Sequence, residues 1–309
     1  MLLISRRYFA TVTAQEGVVM EIKTVGVVGC GTMGVGIVQV TSQGGYRVKV
    51  YDVNHEAVKK GLNDITKWLQ KSVDNGKHTK ADMENIISRI SETNDISDLK
   101  DCDLVIESVF DNLEIKRDVF YKLDNICAKH TILGSNSSTL SIIELAAATR
   151  RMDKVIGMHF FNPVPLMKLL EVVRSIATSE ETLVTVKDFG AKIGKTVIVA
   201  PDVPGYIHNR LTSVLGVAAI KMLEDKVASR DDIDAALRLG SNMPMGRLEL
   251  LDMVGLDVIL EGYENLYREY KDIKYAPPLL LKRMVAAGWL GRKSGKGFYE
   301  YDKDGNKIG

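Results

Sequence analysis

Cysteine is scarce: the chain has three in 309 residues. That excludes a disulfide-built scaffold. An excess of charge of one sign is also missing. Lys and Arg number 41 and Asp and Glu 40, a formal net charge of +1. A surface that tracks phosphates shows itself as a basic excess, so no nucleic-acid partner is expected. Long apolar runs are missing too. No residue between Lys23 and Arg47 is charged, but that window holds Gly26, Gly29, Gly31, Gly34, Gly36, Gly44 and Gly45. A membrane span needs about 20 mostly apolar residues. Glycine at this density reads as strand, tight turn and helix instead. There is no internal repeat and no low-complexity segment. What is present is an apolar share of 45% beside 26% charged residues, the balance of a packed chain. The length suggests two domains.

The first residues, MLLISRRYFATVTAQEG, hold Arg6, Arg7 and several hydroxyls and no acid before Glu16. Their apolar run is too short for a secretory core. The pattern is that of a mitochondrial transit peptide over residues 1–20, which would place the protein in the mitochondrial matrix. A frayed N-terminus is the alternative. Residues 1–20 stay outside the fold argument on either reading.

The periodicity predicts strand, helix and strand at Thr24–Val28, Met33–Gln43 and Arg47–Tyr51. From His55 to about Ser88 it is helical, with a break near Asn75-Gly76. That is too long for a simple crossover, so an inserted helical hairpin is expected. Strands follow at Asp103–Glu107, Thr131–Gly134, Val155–His159 and Thr196–Ala200, with helices at Leu113–Ala128 and Ser141–Arg150. Such alternation predicts an α/β domain with a mostly parallel sheet covered on both faces. Near Asp202-Val203-Pro204-Gly205 the pattern changes. Ile207, Leu211, Val214, Leu215, Ala218 and Met222 then recur at helical spacing, and Ser229 with Asp232 reads as a helix cap. The expected division is 21–203 for the sheet domain and 204–309 for an all-helical domain.

The glycines stand as Gly29-Cys30-Gly31-Thr32-Met33-Gly34 between the first strand and the first helix. Gly29 permits the tight turn, Gly31 lets backbone approach a pyrophosphate, and Gly34 lets helix and strand pack. The helix that opens at Thr32 and Met33 offers N–H groups and the positive end of its dipole to phosphate. Asp52, 21 residues after Gly31, ends the next strand. A carboxylate there accepts from ribose hydroxyls and repels a 2′-phosphate, which favours NAD over NADP. A packing turn beside a solvated Asp is the alternative. Cys30 reads as a small filler rather than a reactive thiol.

Of five histidines, His159 is set apart. It ends an apolar strand and opens His159-Phe160-Phe161-Asn162-Pro163-Val164-Pro165, at the carboxyl edge of the sheet where ligands bind in such folds. Glu171 lies twelve residues on, inside the apolar run Leu169–Val173. A carboxylate there needs a partner, and His159 is a reasonable one. Taken by spacing alone, such a pair is more often structural than catalytic. No metal site is expected.

With these motifs, the Pro204-Gly205-x-x-x-Asn209-Arg210 segment, the PMG–ELLD stretch from Pro244 and GKGFY near the end, the chain resembles L-3-hydroxyacyl-CoA dehydrogenases, including 3-hydroxybutyryl-CoA dehydrogenases, over about residues 22–302. The resemblance implies a Rossmann-type NAD domain, an all-α C-terminal domain and a homodimer. It implies NAD-dependent, reversible oxidation of an L-3-hydroxyacyl-CoA to the 3-oxoacyl-CoA, as in fatty acid β-oxidation. His159 would be the general base and Glu171 its orienting acid. Ser138 and Asn209 would contact the substrate, and Ser138 the cofactor as well. Asp111, Lys116, Asn162 and Lys293 would join Gly29, Gly31, Thr32, Met33, Gly34 and Asp52 around NAD. Lys67 and Lys71 on the hairpin would meet the CoA phosphates, a solvated helix face being the alternative. Asp111 stands where the family usually has Glu, and Arg247 where it usually has Pro. A dehydrogenase of a free hydroxy or sugar acid and a non-catalytic crystallin-like protein of the same fold are the rival readings.

Overall fold

Five consecutive buried residues, Thr24–Val28, form the first strand (β1), and helix Thr32–Gln43 (α1) leaves the glycine turn that follows it. In this computed structural model residues 19–308 are described; residues 1–18, which carry most of the expected transit peptide, lie outside them. After α1 come β2 (Arg47–Tyr51), α2 (His55–Asp74), α3 (Lys80–Ser88), β3 (Ile90–Thr93), β4 (Leu104–Glu107), α4 (Leu113–Ile126), β5 (Ile132–Ser135), α5 (Ile142–Ala146), β6 (Val155–Phe160), β7 (Leu169–Arg174), α6 (Glu180–Lys192) and β8 (Thr196–Pro201). The eight strands form one sheet in the order β3-β2-β1-β4-β5-β6-β7-β8. All neighbours run parallel except β6 and β7, which are antiparallel. Val27, Val50, Ile106, Ile37 and Phe189 belong to one core formed between sheet and helices.

The hairpin α2–α3 forms where expected. Asn54 caps α2 by accepting from the Glu56 N–H, the chain turns at Gly76 (φ +70), and Thr79 with Asp82 closes a capping box on α3. Four features differ from the sequence-based expectation. β3 and β7 are strands and α6 is a helix where none was expected, and α5 is five residues rather than ten. β3 has two exposed residues out of four and lies at the sheet edge, too short for a periodicity. β7 carries a glutamate within its buried stretch, and α5 closes early on Ala147.

The chain divides after Asp202 into two compact units. The second unit holds α7 (His208–Glu224), α8 (Arg230–Gly240), α9 (Arg247–Val254), α10 (Leu256–Tyr270) and α11 (Leu279–Ala286). Ser229 caps α8, accepting from the Asp232 N–H. Val217, Ile220, Leu251, Tyr263 and Leu281 form its core. The buried carboxylate of Asp252 accepts from the N–H groups of Phe298 and Tyr299 and from the Tyr301 hydroxyl, which pins the GKGFY segment. Arg247 is buried inside this unit, where its guanidinium donates to the Thr212 carbonyl at 2.7 Å.

Candidate functional site

The glycine turn has the shape a pyrophosphate requires. Gly29 has φ +97, and a Cβ there would lie 2.6 Å from the Ser108 carbonyl oxygen. A Cβ on Gly34 would lie 1.9 Å from the Gly29 oxygen, so helix and turn touch backbone to backbone. Gly31 differs: a Cβ there would meet nothing within 4 Å. Its exposed backbone is therefore open to a ligand. No side chain caps α1 and no acid stands in its first turn, which leaves the leading N–H groups and the dipole for an anion. Thr32 is exposed and Met33 half-buried at that end. These features fit a dinucleotide.

Asp52 stands at the end of β2. Its Oδ2 accepts from the Cys30 N–H at 2.7 Å and its Oδ1 from the Asn54 N–H at 2.8 Å. The carboxylate thus ties the turn to the second strand. Cys30 is buried, and burial pushes its thiol up to about 11, so the thiolate is suppressed.

His159 and Glu171 come together through strand register. They are direct partners across the antiparallel β6–β7 pair, and His159 Nδ1 lies 2.7 Å from Glu171 Oε2. Glu171 is fully buried and His159 is 7% exposed. An ionised carboxylate only accepts, so Nδ1 carries the hydrogen and Nε2 is the basic ring nitrogen. The Phe161 ring packs on the imidazole, with centroids 4.5 Å apart.

A second polar cluster stands at the carboxyl ends of β4 and β5. Glu107 and Lys116 form a fully buried ion pair at 2.6 Å. Burial pushes the Glu107 pKa up; Lys116, the Ser135 hydroxyl and the Val109 N–H oppose it. Lys116 also lies 3.6 Å from Asp111. Asp111 in turn accepts from Ser137 at 2.8 Å, Thr139 at 3.2 Å and Ser138 at 3.5 Å. The shorter acid therefore reaches the whole hydroxyl run. Lys116, expected as a cofactor contact, has no exposed surface. Its ammonium pairs with two carboxylates, those of Glu107 and Asp111.

Asn162 is exposed in the connection after β6, and Lys67 and Lys71 are exposed on α2. Asn209 and Lys293 belong to the second unit. Asn209 stands in the first turn of α7, its Oδ1 3.3 Å from His208 Nδ1. Lys293 pairs with Asp257 of α10 at 2.6 Å.

Three residues of the first unit escaped the sequence reading. Asn136 accepts from the Phe160 N–H and donates to the Ser108 hydroxyl, so it links the ends of β4, β5 and β6. Glu107 could have been found by the argument that found Glu171, since it too is an acid in an apolar strand. Lys195 had no comparable signal.

Residues 24–203 match the family model described as 3-hydroxyacyl-CoA dehydrogenase, NAD binding domain, and residues 205–301 that described as 3-hydroxyacyl-CoA dehydrogenase, C-terminal domain. The chain is 46% identical over 277 residues to a 3-hydroxybutyryl-CoA dehydrogenase of Clostridioides difficile, covering 90% of this chain and 99% of that one. It is 39% identical over 289 residues to the mitochondrial hydroxyacyl-coenzyme A dehydrogenase of Sus scrofa, covering 91% of each. Among solved structures, (S)-3-hydroxybutyryl-CoA dehydrogenase from Ralstonia eutropha superposes with a TM-score of 0.90 at 41% identity, over 92% of this chain and all of that one.

Proposed function

The chain belongs to the 3-hydroxyacyl-CoA dehydrogenase family and is an NAD-dependent dehydrogenase, and from that premise we propose that it interconverts an L-3-hydroxyacyl-CoA and its 3-oxoacyl-CoA, with His159 as the base. The observation that carries the reading is the 2.7 Å contact between His159 Nδ1 and the buried Glu171. NAD supplies the hydride acceptor for oxidation and the donor for reduction. His159 Nε2 takes the proton of the 3-hydroxyl in one direction and returns it to the C3 oxygen in the other. Glu171 holds the ring in one tautomer and stabilises its cationic form.

Ser138, held by Asp111, places its hydroxyl toward the substrate oxygen, and Asn209 contributes an amide to the substrate. The open backbone at Gly31 and the leading N–H groups of α1 hold the pyrophosphate, and Asp52 meets the adenosine ribose. Asp111, Asn162 and Lys293 serve the nicotinamide half, with Lys116 bracing Asp111. Lys67 and Lys71 meet the CoA phosphates, their exposure on one helix supporting this. The names of the bacterial relatives support a four-carbon acyl group.

The test is NADH oxidation followed optically. Acetoacetyl-CoA is expected to drive turnover and free acetoacetate to leave NADH untouched. Turnover with the free acid alone would reassign the substrate class. Tight NADH binding with no turnover on either would favour a non-catalytic protein. The Sus scrofa relative supports a mitochondrial location through its name, whereas the Clostridioides difficile relative is bacterial. Among the described residues no helix is long and apolar enough to cross a membrane.

A further inference from the structure

Among the described residues, Lys195 is a buried cation to which the site above gives no role. Lys195 stands between α6 and β8 and is 8% exposed. Its ammonium donates to the carbonyl oxygens of Val164 at 2.5 Å and Met167 at 2.7 Å. Both carbonyls belong to residues 161–168, the connection that joins the strand of His159 to the strand of Glu171. Burial lowers the Lys195 pKa. An ammonium taken out of water onto neutral carbonyls is costly, so its position calls for a compensating task.

The surrounding backbone grips the same connection. Gly194 takes φ +77 just before Lys195, and the Thr196 N–H donates to the Lys168 carbonyl at 2.7 Å. Helix α1 also packs on this connection. A Cβ on Gly36 would stand 2.7 Å from Val164 Cβ and 3.4 Å from Pro165 Cδ. Val164 thus meets both the buried ammonium, through its carbonyl, and the helix that opens at the glycine turn, through its side chain.

We propose that Lys195 is a positioning residue for the base: its ammonium fixes the β6–β7 connection and thereby the placement of His159 opposite Glu171. The proposal rests on the reading of His159 as the base. Antiparallel register depends on the loop that joins the strands, and a slip moves side chains to the wrong face. A strand pair carrying a proton-transfer couple tolerates little of that, because misplacement by about 1 Å can cost on the order of a hundredfold in rate.

The test is Lys195→Met in the full chain, with Gly36→Ala as a second variant whose added Cβ would press on Val164. Lys195→Met is expected to lower kcat by about tenfold or more, while NADH affinity stays within about threefold. The NMR titration of the His159 ring is expected to move from its wild-type midpoint as the contact with Glu171 loosens. Amide exchange over residues 164–168 should quicken. A merely structural lysine would lower the melting temperature and leave the ring titration of the folded enzyme where it was. Wild-type kcat and an unmoved ring titration in folded Lys195→Met would overturn the proposal. If that variant does not fold, an unmoved titration in Gly36→Ala overturns it equally. If the wild type turns over no acyl-CoA, the proposed function fails, and the titration and exchange measurements still decide whether Lys195 holds the pair.

Discussion

A glutamine at position 159 keeps a polar side chain of similar reach and removes the basic nitrogen. His159→Gln is expected to cut acetoacetyl-CoA turnover by about a thousandfold, the usual order for a lost general acid–base. NADH affinity should be unchanged, because the glycine turn and Asp52 stand on other elements. Near-normal turnover in this variant would sink the base assignment. Glu171→Gln, measured the same way, should fall between the variant and the wild type, since the ring survives but loses its charged brace. The two side chains could each be singled out in the sequence as polar residues in apolar surroundings. Their pairing was a reasonable expectation from the sequence, but the antiparallel register that makes residues twelve apart direct cross-strand partners was not legible there.

At the scale of elements, α4 ends against an arginine pair. Asp124, in its last turn, accepts from Arg151 Nε at 2.7 Å and from Arg150 Nε at 3.0 Å. Arg151 also donates to the carbonyls of Asp124, Cys127, Ala128 and Thr131, so one guanidinium closes the end of the helix onto the start of β5. An acid near a helix C-terminus opposes the dipole and needs such partners. Burial pushes the Asp124 carboxyl up, but hydrogen bonds from Arg151 and Arg150 outweigh it and hold the group below the ordinary carboxylate range. The folded value is therefore the depressed one. Its stabilisation is present above the unfolded pKa of about 3.9 and is lost as pH falls through the folded value. Asp124→Asn is expected to cost about 3 kcal/mol at neutral pH by stranding a buried guanidinium. Denaturant melts should also show a flatter loss of stability below about pH 4. A variant that melts like the wild type across that range would remove the network from the account of stability.

At the scale of the whole molecule, the second unit leaves apolar side chains in water. Leu211 on α7 is 68% exposed and Val258 on α10 53%, with Met253 and Val254 of α9 also uncovered. The homodimer that the family resemblance implies would cover such a surface. Sedimentation equilibrium is expected to return about twice the 34.2 kDa of one chain, and Leu211→Glu to shift the mass toward that of one chain. A wild-type mass of one chain at micromolar concentration would refute the dimer.

The order of residues by itself determined which segments become β1, α1, β2 and the hairpin, because glycine, capping residues and apolar spacing act over a few residues and need no distant partner. It also determined the glycine turn and Asp52, whose roles depend on local backbone freedom and one following strand. Only the tertiary structure decided that β7 and β3 pair into the sheet, that Glu171 faces His159 across an antiparallel strand pair, that Lys116 turns inward onto Glu107, and that Lys195 reaches Val164 and Met167. Each of these joins residues whose separation along the chain carries no periodic signal. Their pairing is dictated by burial, since a charge removed from water must find whichever partner the packed elements bring within reach.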